Sequence, residues 1–264
     1  MIWKPADQLV REEVESVRAR MIILDQLESG PKTGNELREA IRKDMMAQAV
    51  KAGVRKPDPA DYVVTDPKLY FNTKHLENIG LVQSKRESKE RIFRLAPHAI
   101  QPVRRVLDIK RKRILITSLV EPGDARHLIG WYCKERKFSF KKLHVVVEME
   151  RFQRGVSKNL ERYIPDGSVR KINDEWHELP LDVAGEFGGG KQGDLDKTYQ
   201  AIEKIILQDI REYNIILDVS LGPPVISMAM MLLATHYSLD LIYVREYSGK
   251  NSEVQMVTAL EVVE

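Results

Sequence analysis

Asn214-Ile-Ile-Leu-Asp-Val-Ser-Leu-Gly-Pro-Pro-Val225 begins with a short apolar, β-branched run and ends in small residues and prolines. The run predicts a buried strand, Asn214–Val219. A helix rich in Met and Ala is expected from Pro224 to Tyr237, and Leu239-Asp-Leu-Ile-Tyr-Val244 reads as the next strand. Strand, helix, strand at this spacing is a crossover unit, which makes neighbouring strands parallel. The same rhythm extends backwards. Leu195–Ile210 has Tyr199, Ile202, Ile205, Ile206 and Ile210 in helical step. Leu143-His-Val-Val-Val147 and Arg113-Ile-Leu-Ile-Thr-Ser-Leu119 are earlier strands. Helices are expected from Pro122 through Trp131 and around Val156–Tyr163, Val169–Leu181 is partly extended, and Glu253–Val262 adds an edge strand. Residues 113–264 therefore predict a mainly parallel α/β sheet.

Before Arg113 the pattern is different. Val10, Val14, Val17, Met21, Leu24 and Leu27 recur at steps of four and three, one stripe on a single helix from Gln8 to Glu28. Thr33-Gly-Asn-Glu36 has capping-box spacing for a second helix that buries Leu37, Ala40, Ile41 and Met45. After the break at Lys56-Pro-Asp-Pro59, Thr65-Asp66-Pro67 opens a third helix with a capping side chain. That helix sets Leu69, Thr73, Leu76 and Ile79 on one side and Tyr70, Phe71, Lys74 and Asn78 on the other. Leu81–Ser84 and Ile92–Leu95 are strands joined by the charged turn Lys85-Arg-Glu-Ser-Lys-Glu-Arg91. A helix fits the major groove of DNA, and a cationic hairpin tip can lie on neighbouring phosphates. Tyr70, Phe71, Thr73, Lys74, Lys85, Arg86, Lys89 and Arg91 are the candidate DNA contacts. Tyr70 and Phe71 have an alternative, packing on the inserted segment Met46–Asp61 or on a dimer partner.

His75-Leu-Glu-Asn-Ile-Gly-Leu-Val82, the charged hairpin and Arg91-Ile-Phe-Arg-Leu95 resemble the recognition helix and wing of winged helix-turn-helix regulators of the ArsR and MarR kind. The long insert and Asn72, where an apolar residue is usual, depart from that pattern. Double-stranded DNA is the partner this resemblance implies. The expected organisation has two domains: an N-terminal winged helix-turn-helix (α+β) over residues 1–96, a linker helix over 97–112 with the basic end Lys110–Arg113, and a Rossmann-like, mainly parallel α/β sheet domain over 113–264.

Charge follows the same division. Residues 1–113 carry 24 Lys+Arg against 16 Asp+Glu, a balance of +8, and the remainder carries 18 against 23, a balance of −5. The basic half suits a polyanion, because clustered cations release counterions from phosphates. The longest apolar run, Met228–Ala234, is far short of a membrane span. Met1-Ile2-Trp3-Lys4-Pro5 has no apolar signal core, and Cys133 is the single cysteine, so a cytoplasmic setting without an intrachain disulfide is expected.

In open parallel sheets, ligands sit beyond the C-terminal strand ends. Two such ends carry small hydroxyl residues: Thr117-Ser118, and Ser220-Leu221-Gly222 after Asp218. These residues could bind phosphate at a helix N-terminus, or simply finish strands and cap helices. Pro223 and Pro224 lack the N–H groups a glycine-rich loop would offer. The 113–260 stretch resembles the CARF (CRISPR-associated Rossmann fold) family, through its first strand with a Thr-Ser end and its late Asp218-Val-Ser-Leu-Gly-Pro-Pro-helix-strand-Tyr243 block. Asp218, Ser220, Gly222, Met228 and Ala229 match the family motif; Leu221, Pro223 and Pro224 depart, with Pro224 where the motif has Lys. The resemblance implies a homodimer whose strand ends share a two-fold pocket for a cyclic oligoadenylate.

Gly185-Glu-Phe-Gly-Gly-Gly190-Lys191 has the spacing of a phosphate-binding loop, but Gln192 stands where a magnesium-binding hydroxyl is needed. A glycine loop over the pocket mouth, with Lys191 touching an anionic ligand, is the preferred reading. The six histidines lack helix-borne metal spacing. No metal, cofactor or catalytic residue is expected. The sequence thus points to a ligand-responsive DNA-binding transcriptional regulator linked to CRISPR or antiviral defence, with Thr117, Ser118, Lys191, Ser220, Leu221 and Gly222 binding a cyclic oligoadenylate or other small anion. The alternatives are a ring nuclease or phosphodiesterase degrading cyclic oligoadenylate, with the winged domain as a tether, and a structural adaptor.

Overall fold

The structure is a computed structural model that describes residues 5–88, 90–120, 140–150, 173–186, 188–246 and 252–257. It divides into two compact units, Met1–Lys110 and Arg111–Glu264. No helix among the described residues is long and apolar enough to cross a membrane.

The first unit begins with α1 (Ala6–Ser16) and α2 (Arg18–Glu28). These two helices correct the expected single helix Gln8–Glu28. Val17 is extended (φ −140°, ψ 109°) and separates them. Ser16 and β-branched Val17 are weak helix formers, and the halves have different neighbours: α1 packs chiefly on a later helix, α5 (Pro97–Val106), and α2 on α3 (Gly34–Lys51). Only Val10 is buried in α1, whereas Ile23, Leu24 and Leu27 are buried in α2.

The short strand β1 (Lys32–Thr33) leads into α3, whose N-terminus carries the expected capping box. The Glu36 N–H donates to Thr33 Oγ1 at 3.2 Å, and the Thr33 N–H donates to Glu36 Oε2 at 2.7 Å. Helix α4 (Asp66–Asn78) follows a 3-10 turn at Pro59–Tyr62; Thr65 makes no side-chain cap there, contrary to expectation. Strands β2 (Val82–Glu87) and β3 (Glu90–Leu95) form an antiparallel hairpin, with β1 on the other side of β3. The expected charged turn is mostly strand. Arg86 pairs with Arg91 and Glu87 with Glu90, so the ladder runs to the tip and Lys85, Arg86 and Arg91 project from it.

Helix α5 belongs to this unit rather than linking the two. Its face is fully buried at Ala99, Ile100 and Val103. Arg104 Nε donates to Glu28 Oε1 at 2.6 Å with both side chains buried, and Arg105 is bidentate to Asp7 at 2.6 and 2.7 Å.

The second unit is built on β4 (Arg113–Ser118), β5 (Phe140–Glu148), β6 (Asp174–Leu179), β7 (Asn214–Asp218), β8 (Asp240–Glu246) and β9 (Ser252–Val257). The order is β6-β5-β4-β7-β8-β9. The first five are parallel and β9 is an antiparallel edge. Its helices include α6 (Leu181–Ala184), α7 (Leu195–Asp209) and α8 (Pro224–Tyr237). Central strands are apolar on both faces, as in sheets covered on both sides: Ile114, Leu115, Ile116, Val145, Val146, Val147, Ile215 and Leu217 are all buried. The helices expected at Pro122–Trp131 and Val156–Tyr163, and Cys133, lie outside the described residues.

Candidate functional site

The chain runs outward from β4 in one direction through β5 and β6, and in the other from β7 through β8. The point between β4 and β7 is therefore the topological switch point, where the crevice of an open parallel sheet lies. The C-terminal ends there are Thr117-Ser118 and Asp218.

Asp218, not singled out as a site residue from sequence, organises this end. Its carboxylate accepts from Thr117 Oγ1 at 2.9 Å, from the Ser220 N–H at 2.9 Å and from the Ser220 hydroxyl. The turn this makes folds the Ser220-Leu221-Gly222 loop back towards β4. Gly222 has φ +111° and lies directly on Ser118: a Cβ there would sit 2.5 Å from Ser118 Oγ and 2.7 Å from its Cβ. Only glycine fits both the backbone angle and that approach. Burial pushes the Asp218 carboxyl above its ordinary value, against the hydrogen bonds from Ser220 and Thr117 that favour the anion.

Thr117 and Ser118 are completely buried, Ser220 and Leu221 half-buried. Ser118 Oγ is buried and has no hydrogen-bond partner among the described residues. Such a hydroxyl is costly to leave unmatched. Helix α8 starts next to it at Pro224 and has no side-chain cap.

The exposed Lys191 lies in the loop between α6 and α7. This loop is closed on itself. The Glu186 N–H donates to Lys191 O at 2.9 Å, the Asp194 N–H donates to Val183 O at 3.0 Å, and Asp194 then caps α7 through the Lys197 N–H. A carboxylate at that helix start opposes a phosphate, so the glycine run is no phosphate-binding loop.

In the first unit, Tyr70, Phe71 and Lys74 are exposed on one side of α4, Tyr70 at 58% and Phe71 at 67%. Lys85, Arg86 and Arg91 are exposed on the hairpin, and Lys89 lies outside the described residues. Thr73 differs from this group. It is 2% exposed, and its hydroxyl donates to Leu69 O and Tyr70 O, so the structure withdraws it from any base-reading role. Asn72 is also inward: it accepts from Arg20 Nε at 3.3 Å and donates to Lys68 O at 2.8 Å. Arg20 Nη1 and His75 Nε2 both meet Glu13 Oε2, at 2.5 and 3.0 Å. The departure at Asn72 is thus one member of a buried polar network.

The histidines are not all scattered. His144 on β5 and His177 on β6 meet, Nδ1 to Nε2, at 2.8 Å. His144 Nε2 lies 2.7 Å from Asp209 Oδ2 at the end of α7, and Lys142 Nζ bridges Glu175 at 2.6 Å and Asp209 at 3.3 Å. Burial lowers the pKa of both histidines, aided by Lys142 for His144 and by His144 for His177. Its ion pair with Lys142 lowers Glu175. The sequence signal was Glu175-Trp-His177, an alternate-residue pair on a strand; its partner His144 becomes visible only through the strand register.

No protein-family model and no curated protein matches the sequence. Part of the chain is similar to parts of solved structures, three of which follow. Can2 from Sulfobacillus thermosulfidooxidans, in complex with cyclic tetra-adenylate, is 13% identical with a TM-score of 0.36 over 50% of this chain and 32% of that one. Enterococcus italicus Csm6, bound to cyclic hexa-2′-fluoro-hexa-dAMP, is 13% identical with a TM-score of 0.39 over 55% and 36%. Protein VC1899 from Vibrio cholerae is 15% identical with a TM-score of 0.37 over 53% and 35%. The chain spans about a third of the length of each.

Proposed function

We propose that the chain is a ligand-responsive DNA-binding regulator of CRISPR or antiviral defence. In this reading the first unit is a winged helix-turn-helix and the second a CARF-like homodimerising sensor of a cyclic oligoadenylate or a related anionic nucleotide. The observation that carries the sensor is the orphan Ser118 hydroxyl, buried at the switch point against Gly222. A bound ligand would supply its missing hydrogen bond once the loop Ser220–Gly222, which packs on Ser118, moves aside.

The DNA-binding half is supported by its exposed chemistry. Tyr70, Phe71 and Lys74 form one exposed face of α4, and Lys85, Arg86 and Arg91 are exposed on the hairpin, in the half of the chain that carries the basic excess. Lys74 lies close enough to Glu77 for a loose pair at 3.8 Å, which a phosphate can replace. Binding of a small molecule by a dimer would shift the spacing of the two reading helices and so the half-sites they fit.

Two measurements test the reading. Low-salt mobility shifts on the chain's own promoter region should show binding that Lys74→Ala and Arg86→Ala each weaken, with a shallower salt dependence. Incubation with labelled cyclic tetra-adenylate, the molecule in the Sulfobacillus complex, should give binding without turnover. Cleavage of the ring would make the chain an enzyme instead, and absence of binding would remove this ligand class.

A further inference from the structure

We propose that β5 and β6 form a site for one divalent transition-metal ion of the zinc class, held by His144 Nδ1, His177 Nε2 and a Glu175 carboxylate oxygen. Asp209 orients His144 from behind. This site is independent of the sensor and DNA-binding reading.

Strand register assembles the ligands. His144 pairs with Glu175 and Val146 with His177, so His144 lies opposite Glu175, with His177 two residues further along the same face of β6. The three donor atoms lie within 4.8 Å of one another. Two imidazoles and a carboxylate form the donor set of open zinc sites, which keep a fourth position for water or another ligand. Imidazole nitrogen selects this class of ion over magnesium or calcium.

The surroundings match what a metal histidine needs. Asp209 Oδ2 accepts from His144 Nε2–H at 2.7 Å, which leaves the lone pair on Nδ1 facing His177 and Glu175. A carboxylate behind the ring is the usual device for holding a ligating tautomer. His144 is completely buried and cannot turn away, while His177 and Glu175 are partly exposed on β6, the first strand of the sheet order. The two ring nitrogens stand 2.8 Å apart as a hydrogen-bonded pair. Zinc–nitrogen bonds of about 2.0–2.1 Å in tetrahedral geometry need a separation of roughly 3.3 Å. A shift of about half an ångström by His177 supplies it without moving the core, and its proton passes from Nε2 to Nδ1 through solvent. Of the three ligands, His177 also lines an open cleft of about 440 Å³ together with Leu179, Ile202, Ile205 and Gln208.

Lys142 is the ion's competitor. Its ammonium, 2.6 Å from Glu175 and 3.3 Å from Asp209, occupies the carboxylates as a cation already does. A metal would take over Glu175 and leave Lys142 with Asp209.

The test uses the full, tag-free chain, stripped with a chelator and dialysed, then titrated with zinc by calorimetry and with cobalt(II) by visible absorption. One ion per chain and a four-coordinate cobalt spectrum are expected. His177→Ala should abolish binding, and Asp209→Asn should weaken it about 10-fold or more. Lys142→Met should tighten binding, a gain that damage to the fold cannot produce. Circular dichroism melts check that His177→Ala remains folded. Absence of binding by the wild-type chain, or binding that His177→Ala leaves unchanged, would show that these side chains are only a hydrogen-bond and ion-pair network and would overturn the proposal.

Discussion

Ser118 and Asp218 close the C-terminal ends of β4 and β7, and substitution at either should raise stability, for different reasons. The Ser118 hydroxyl is buried and has no hydrogen-bond partner among the described residues. Ser118→Ala removes an unsatisfied polar atom while keeping the Cβ that packs on Gly222, so thermal stability should rise, by up to about 1–3 kcal/mol. If Ser118 contacts a ligand, the same change should weaken cyclic tetra-adenylate binding, as read by calorimetry. A drop in both quantities would mean that the hydroxyl supports the fold. Asp218 is an internal acid whose burial holds its pKa above the ordinary 3.8. The folded chain therefore keeps this proton more tightly than the unfolded chain does. The resulting stability is complete below pH 3.8 and is lost as pH climbs through the raised folded value. Asp218→Asn keeps an acceptor for Ser220 and removes the ionisation. Its melting temperature should exceed that of the wild type at pH 7 and approach it in acid; parallel curves across that range would refute the buried-acid account.

At the scale of elements, helix α5 shows how packing overrules a linear reading. Its basic end suggests a linker, but Arg104 and Glu28 form an ion pair with side chains 1% and 3% exposed. Arg104→Ala would remove the guanidinium that meets Glu28 at 2.6 Å between α2 and α5, a loss of roughly 3–5 kcal/mol. Denaturant unfolding of the first unit's signal should show it, with Arg18→Ala as the exposed-pair control costing under about 1 kcal/mol. What the sequence made legible were the elements set by local chemistry. The β-branched runs of β4, β5 and β7 announce themselves, as do the Thr33–Glu36 capping box and the Tyr70/Lys74 face of α4. What escaped depends on contacts distant in sequence. The stripe through Val14 and Val17 continues in helical register, yet its two halves find different partners, and the chain breaks at Val17. The charged hairpin read as a turn because its residues are poor strand formers, whereas pairing with β3 carries them into the ladder. Asp218 read as a motif match until its three hydrogen bonds were traced. His144 and His177 stand thirty-three positions apart and meet only through parallel register.

For the whole molecule, the open question is what covers helix α8. Its inner side is buried through Ala229, Met230, Leu233 and Ala234. Its outer side exposes Met228 at 53%, Met231 at 53% and Leu232 at 49%. Spacings of three and four gather these three on one face, and apolar faces of this kind mark contact surfaces. Homodimerisation fits the position, because α8 begins immediately after the Gly222 loop. A two-fold axis along it would set two copies of that loop at one interface, and an isologous contact needs only this single patch. The double change Met228→Glu and Met231→Glu puts two carboxylates per chain into such a contact without touching the buried side of the helix. Light scattering after size exclusion should then show a dimer for the wild type and a monomer for the variant, with unchanged circular dichroism. If two reading helices act together on one operator, loss of the pairing removes an intramolecular second contact, and DNA affinity should fall by about 100-fold or more. A variant that stays dimeric would move the interface to another surface, and a monomer that keeps full DNA affinity would separate dimerisation from DNA reading.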